Sequence, residues 1–115
     1  MEKKLINLTN HPSKEWDESQ LKDSLKYGEI EDMAFPQISP NWDISKVMEE
    51  VDKYDRLINR IAQKNDVTVH VMGEQTFCYG IISKLTRSGI KCIASCTERG
   101  TFNFIRFREY PNNQQ

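Results

Sequence analysis

A three-layer α/β fold of Rossmann-like or flavodoxin-like type is predicted by three observations. Strand-like and helix-like segments alternate along the chain, as in successive strand-helix-strand units. The segment "DVTVHVMGE", residues 66–74, carries valines at 67, 69 and 71 with Thr68, His70 and Met72 between them, which suits a central strand covered on both faces. Residues 44–61 place Ile44, Val47, Met48, Val51, Tyr54, Ile58 and Ile61 at three- and four-residue spacing, with Glu49, Glu50, Lys53, Arg56 and Arg60 on the other face. That helix is expected to cover one side of a sheet.

The elements follow in order. Lys4 to Thr9 reads as a short strand. Asp17 to Tyr27 reads as a helix, with Asp17 and Gln20 placed as a capping box and Gly28 placed to end it in a left-handed turn. Ile30 to Phe35 is a weak, acidic second strand, and the two prolines of "PQISPNWD" make the next stretch an irregular connection. Beyond the long helix and the central strand, Gln75 to Ser88 forms a helix that is apolar at Phe77, Cys78, Ile81, Ile82 and Leu85 and is closed by Gly89. "IKCIASC" is the fourth strand. "FIRFREY" is the fifth, with Ile105 and Phe107 alternating against Arg106 and Arg108, and a turn at Gly100 to Asn103 pairs it with the fourth as an antiparallel hairpin. Right-handed crossovers then give a parallel sheet of order 2-1-3-4, with strand 5 antiparallel at the C-terminal edge.

At 115 residues the chain is expected to be one domain over residues 1–110, followed by the polar tail "PNNQQ", which reads as frayed. Lys plus Arg (16) nearly cancels Asp plus Glu (17), so no overall field would draw in duplex DNA or an anionic membrane. No apolar run approaches the roughly 20 residues that span a bilayer. Cys78, Cys92 and Cys96 are odd in number and lack metal-type spacing, and the start lacks a signal-peptide pattern. A reduced, cytoplasmic protein without cofactor or metal is the expectation.

In such a sheet, ligands lie beyond the carboxyl ends of the strands where the winding reverses. Strands one and three flank that point, so the loops that meet there are Thr9 to Trp16, Gly73 to Phe77 and Ser95 to Arg99. In the first, the apolar run of "LINLTNHPSKEW" stops at Thr9, Asn10, His11, Pro12 and Ser13. In the second, Gly73 lets the backbone approach a ligand and the amides of Gln75, Thr76 and Phe77 suit an anion, whereas Glu74 and Thr76 could equally serve only to cap the helix. In the third, Ser95, Thr97, Glu98 and Arg99 end the fourth strand. Arg99 is placed either to clamp a phosphate or to pair with Glu98, Glu74 or solvent.

General acid, phosphate donor and plain turn residue are all open to the His11 imidazole. His70, inside a strand, is read as a buried imidazole satisfied by a neighbour. Trp16 and Phe77 have a choice between stacking on a base and filling the core. Cys96 reads as a small packed residue rather than a nucleophile. The chain has no GxGxxG after its first strand, no GxxxxGK[ST], no GxSxG elbow and no second histidine placed for a metal triad. Classical dinucleotide oxidoreductase, P-loop NTPase and hydrolase readings fall with them.

"TNHPSKEW" resembles the signature of histidine, proline or glycine, two to three residues and tryptophan found in small CRISPR-associated Rossmann-like proteins, some related to the cyclic-oligoadenylate sensor (CARF) domains and acting as ring nucleases. "VTVHVMGEQTF" followed by "GIKCIASCTER" also looks like the core of a compact uncharacterised bacterial family. The first resemblance implies a small nucleotide ligand, a cyclic oligoadenylate, with His11, Ser13 and Trp16 at its mouth and Thr76 and Arg99 on phosphates. It implies metal-free cleavage by the ligand's own 2′-hydroxyl, with Arg99 and the amides after Gly73 holding the oxyanion and His11 protonating the leaving oxygen. A two-fold ligand implies a homodimer. Two rival readings are a non-catalytic nucleotide or anion sensor, and an enzyme of the nucleoside deoxyribosyltransferase type with Glu74 or Glu98 as nucleophile.

Overall fold

The register of the first strand organises the molecule. In the computed structural model, which describes residues 1–112, β1 (Glu2–Thr9) pairs in parallel with β2 (Glu29–Ala34) on one side and with β3 (Asn65–Val71) on the other. β3 pairs in parallel with β4 (Lys91–Thr97), and β4 pairs antiparallel with β5 (Phe104–Glu109). The strand order is therefore β2-β1-β3-β4-β5, as the alternation of elements predicts. Of the expected tail, residues 113–115 lie outside the described residues.

Because successive side chains on a strand point to opposite faces, each strand sorts its residues between two cores. Ile6 and Leu8 of β1 and Val67, Val69 and Val71 of β3 face α2 (Ile44–Ala62) and α3 (Gln75–Arg87), where they meet Val47, Val51, Ile58, Phe77, Ile81 and Leu85. Fully burying each of the larger of these side chains contributes about 1.5–3 kcal/mol, so this face holds most of the stability. The long helix starts as its sequence requires, with the Asp43 carboxylate accepting from the Lys46 amide. Its first apolar residue, Ile44, is nonetheless exposed, because the stripe reaches the sheet only from Val47 onward.

The opposite face has a smaller apolar cluster of Leu5, Trp16, Ile93, Phe104 and Phe107. Its only α-helix among the described residues is α1 (Glu18–Ser24), which lies against β5. The predicted helix over 17–27 is thus shorter than its pattern suggests, and a 3-10 turn over Leu25–Tyr27 completes the segment. Gly28 then takes φ +111° and ψ −166°, a positive-φ extended conformation rather than a left-handed helical one. A Cβ there would fall 2.2 Å from the Lys3 carbonyl oxygen.

β5 departs from the predicted alternation. Thr97 pairs with Phe104 and Cys96 with Arg106, so Ile105 is bulged out and exposed. The extra residue resets the side-chain phase, and the two inward residues become Phe104 and Phe107, three apart.

A polar row and a cleft at the strand ends

The sheet face that α1 only partly covers carries polar residues near the carboxyl ends of four strands. Register places Asp32 of β2 beside Asn7 of β1, and Asn7 beside His70 of β3. Their side chains connect in the same order. Asn7 Nδ2 donates to Asp32 Oδ1 at 2.8 Å, Asn7 Oδ1 meets His70 Nδ1 at 2.8 Å, and His70 Nε2 meets Ser95 Oγ of β4 at 2.6 Å.

The chemistry of the row fixes its proton positions. A carboxylate only accepts, so the Asn7 NH₂ faces Asp32 and the Asn7 oxygen faces the ring. That oxygen also only accepts, so His70 carries its proton on Nδ1 and offers a bare Nε2 lone pair, to which the Ser95 hydroxyl donates. Gln20 of α1 then donates its Nε2 hydrogen to Ser95 Oγ at 3.1 Å. This removes Gln20 from the predicted capping box: the Asp17 side chain does cap α1, accepting from the Gln20 amide, but the Gln20 side chain reaches the sheet instead.

Burial lowers the pKa of His70 to about 4, with a smaller contribution from the charge of His11. The ring is 2 % exposed and stays neutral at physiological pH. Asp32, exposed on the edge strand, behaves in the opposite sense. The modest burial it has would raise its pKa, but hydrogen bonds from Asn7 and from the Ser13 amide and hydroxyl outweigh this and hold it below the ordinary carboxylate value.

The loop after β1 is tied to the same row. The His11 carbonyl accepts from Asn7 Nδ2 at 3.0 Å and from Trp16 Nε1 at 3.2 Å, and the Thr9 hydroxyl accepts from the His11 amide at 3.0 Å. The Thr9-Asn10-His11-Pro12-Ser13 stretch is therefore held in place against the row. The His11 imidazole is half-exposed, with Nδ1 3.4 Å from a Glu15 carboxylate oxygen.

Above the row lies a cleft of about 560 Å³ at the carboxyl ends of β1, β3 and β4. Thr9, Asn10 and His11 form one wall, and Met72 and Gly73 form another. Ser95, Thr97, His70 and Gln20 supply the polar floor, and Phe102, 98 % exposed in the β4–β5 turn, stands at the rim. Among the described residues, no Asp, Glu, Lys or Arg lines it. The model of the uncharacterised protein MJ1673 family matches residues 3–108.

The chain belongs to that family.

The match spans all five strands and both longer helices of this family member, and no curated protein and no solved structure matches the chain. The residues of the cleft therefore have to speak for themselves.

Of the residues expected at the mouth, Thr9, Asn10, His11, Gly73, Ser95 and Thr97 are brought together there. Others are placed elsewhere. Trp16 and Phe77 are both core residues: Trp16 packs edge-on to His70 with centroids 5.4 Å apart, and Phe77, fully buried, sits between the rings of Phe35 and Tyr54. Neither presents a face to a base, because each is consumed by its own side of the sheet.

The start of α3 is also occupied from within. Glu74 Oε1 accepts from the Phe77 amide at 2.8 Å, and the Thr76 hydroxyl donates to the same carboxylate at 2.7 Å. Those bonds, the amide foremost, lower the Glu74 pKa, so a negative charge already sits where a phosphate would. The close approach that Gly73 permits is to the Phe35 ring, 2.4 Å from where a Cβ would lie, rather than to a ligand. Gln75 lines a separate, more apolar groove with Met72, Tyr79 and Tyr110. Ser13 is held by Asp32, and Arg99 is exposed in the β4–β5 turn, away from the cleft lining.

Asn7, Asp32 and Gln20 were not among the expected site residues, and His70 was expected only as a satisfied core group. A signal was present. Polar residues occur at alternate positions near the ends of β1 (Asn7, Thr9), β3 (Thr68, His70) and β4 (Ser95, Thr97), which is one face of a sheet.

Membrane insertion finds no helix to carry it, since none among the described residues is long and apolar enough to cross a bilayer. The three cysteines are free thiols, and burial raises Cys78 to about 11 and Cys92 to about 12.

Proposed function

We propose that this protein binds a nucleoside-type ligand in the cleft at the carboxyl ends of β1, β3 and β4. The observation that carries the reading is the composition of that cleft. Its lining is neutral, rich in hydroxyl and amide groups, and rimmed by a fully exposed phenylalanine, Phe102. A flat apolar ring edged with donors and acceptors fits such a lining: the ring stacks on Phe102 and its edge and sugar hydroxyls meet Asn10, Ser95 and Thr97. A ligand recognised mainly through multiple phosphates would call for cationic side chains; none lines the cleft among the described residues, with Arg99, three residues before Phe102, and Lys14, three after His11, near it in sequence.

The narrower form of this proposal is a cyclic oligoadenylate, bound across a homodimer and opened by its own 2′-hydroxyl. His11 on the cleft wall then protonates the leaving 5′-oxygen, with Arg99 balancing charge. It is supported by the position of His11 in the cleft and by the resemblance of the first loop.

Titration calorimetry with adenosine, adenosine monophosphate and cyclic tetra-adenylate tests both forms. The proposal expects saturable binding of at least one, weakened about 5- to 150-fold by Phe102→Ala, since stacking on one aromatic ring is worth about 1–3 kcal/mol. Linear products lost in His11→Ala would support the narrower form, and binding without turnover would leave the sensor reading. Binding of none of the three, by a folded protein, overturns the proposal.

A further inference from the structure

We propose that Ser95 is a nucleophile, that the row behind it is the device that activates it, and that the cleft accepts a neutral carboxylic ester. The inference rests on the cleft as the binding site but not on the nucleoside identity of the ligand. The hydrogen bonds of the row all run in one direction. An Asp32 carboxylate orients the Asn7 amide, the Asn7 oxygen holds the His70 proton on Nδ1, and the bare Nε2 receives the Ser95 hydroxyl at 2.6 Å. Each member orients the next, which is the arrangement that lets a histidine take a proton from an alcohol.

A purely structural role explains less of the geometry. A buried histidine needs partners, but it does not need one of them to be a hydroxyl that lines a cleft. Nor does it need that hydroxyl to accept from a further donor. Gln20 Nε2, 3.1 Å from Ser95 Oγ, lies within reach of an oxygen on whatever carbon becomes attached there. The uncharged lining favours a neutral electrophile over a phosphodiester.

Ser95 Oγ adds to the ester carbon as its proton passes to His70 Nε2. The carbon–oxygen bond to the alcohol then breaks, and the leaving alkoxide takes that proton, giving acyl-Ser95 and a free alcohol. Water adds next, losing a proton to Nε2, and the acid departs as Ser95 regains the proton. Ser95 and His70 are the catalytic residues; Asn7 and Asp32 are positioning residues, and Gln20 is the candidate oxyanion donor.

A fluorophosphonate probe, which traps activated serines as a stable phosphonyl ester, gives the test, read by intact mass and peptide mapping. The expected result is one adduct per chain, on Ser95, absent in Ser95→Ala and formed at least a hundredfold more slowly in His70→Gln, in line with the roughly 10²–10⁴ that a positioned base supplies. Should His70→Gln fail to fold, the native chain labelled against the same chain in urea replaces it, with the same hundredfold difference expected. The double variant Asn7→Asp with Asp32→Asn, which keeps an acceptor toward His70 and a donor–acceptor pair between the two positions, is expected to retain labelling where Asn7→Leu loses it. No adduct, an adduct on another residue, or a Ser95 rate independent of His70 and of folding overturns the inference. Labelling without nucleoside binding sinks the proposed ligand and leaves the nucleophile standing; nucleoside binding without labelling does the reverse.

Discussion

Asn7 and His70 stand side by side on adjacent parallel strands, and the amide oxygen of one receives the Nδ1 proton of the other at 2.8 Å, with neither group open to bulk water. The bond orders a polar line that crosses four strands. It also sets the protonation of the ring, and from that follow measurable consequences for stability, for titration and for the cleft above it.

The first concerns pH. The native pKa of His70 is about 4, against an ordinary value of 6.5 in the unfolded chain, so between those values the unfolded state holds more protons than the native state. Stability from this group is complete above pH 6.5 and is lost as pH falls toward 4, by about 3 kcal/mol in all. Asp32, whose pKa is also lowered, adds a further loss in more acidic solution. Urea denaturation at pH 7.0, 5.5 and 4.5 checks this. A free energy unchanged over that range contradicts the burial assigned to the ring.

The second concerns the tautomer. Nitrogen NMR of the His70 ring is expected to show a protonated Nδ1 and an unprotonated, hydrogen-bonded Nε2 at pH 7. In Asn7→Leu the ring loses its Nδ1 acceptor, and leaving that buried donor unpaired costs about 1–3 kcal/mol. The reverse tautomer in the native protein would mean that the order of donors along the row is wrong.

This row also shows where the sequence stopped being readable. Element types and strand order follow from periodicity, because valines at 67, 69 and 71 and the stripe from Val47 to Ile61 report burial locally. The first-loop cluster was equally visible, since Thr9, Asn10 and His11 interrupt an apolar run. Asn7 and His70 are 63 residues apart, and what joins them is register, which one residue of slip would reverse. Gln20 was hidden differently: its spacing from Asp17 satisfies a capping rule, yet the side chain takes a stronger tertiary partner. Trp16 and Phe77 open helical segments, where a core role and a stacking role are both open to an aromatic, and each is buried on its own side of the sheet.

The third prediction compares two glycines. Gly73→Ala would drive a Cβ to 2.4 Å from the Phe35 ring, an aromatic packed in turn on Phe77. The expected cost is about 1–3 kcal/mol from overpacking. Gly100, at φ +79° with open space around it, pays only for its backbone conformation when changed to alanine, about 1 kcal/mol. Thermal denaturation of the two variants should rank Gly73→Ala as the more damaging, and the opposite ranking would count against the Phe35 contact.

The fourth concerns the start of α3. Glu74→Ala removes the acceptor for the Phe77 amide and is expected to cost about 0.5–2 kcal/mol as a lost helix cap. Ligand binding in the cleft should persist, because Glu74 does not line it. A variant of normal stability that no longer binds would show that this carboxylate touches the ligand after all.

The central claim is that the cleft above the Asn7–His70–Ser95 row is where this protein meets its ligand. Amide chemical-shift mapping during titration with adenosine and with cyclic tetra-adenylate tests it most directly. The account predicts that the largest shifts fall on Asn10, His11, Ser95, Thr97 and Phe102, and that the Nε2 environment of His70 changes with them. Shifts centred instead on Gln75, Tyr79 and Tyr110 in the neighbouring apolar groove, or no shifts at all, would contradict it.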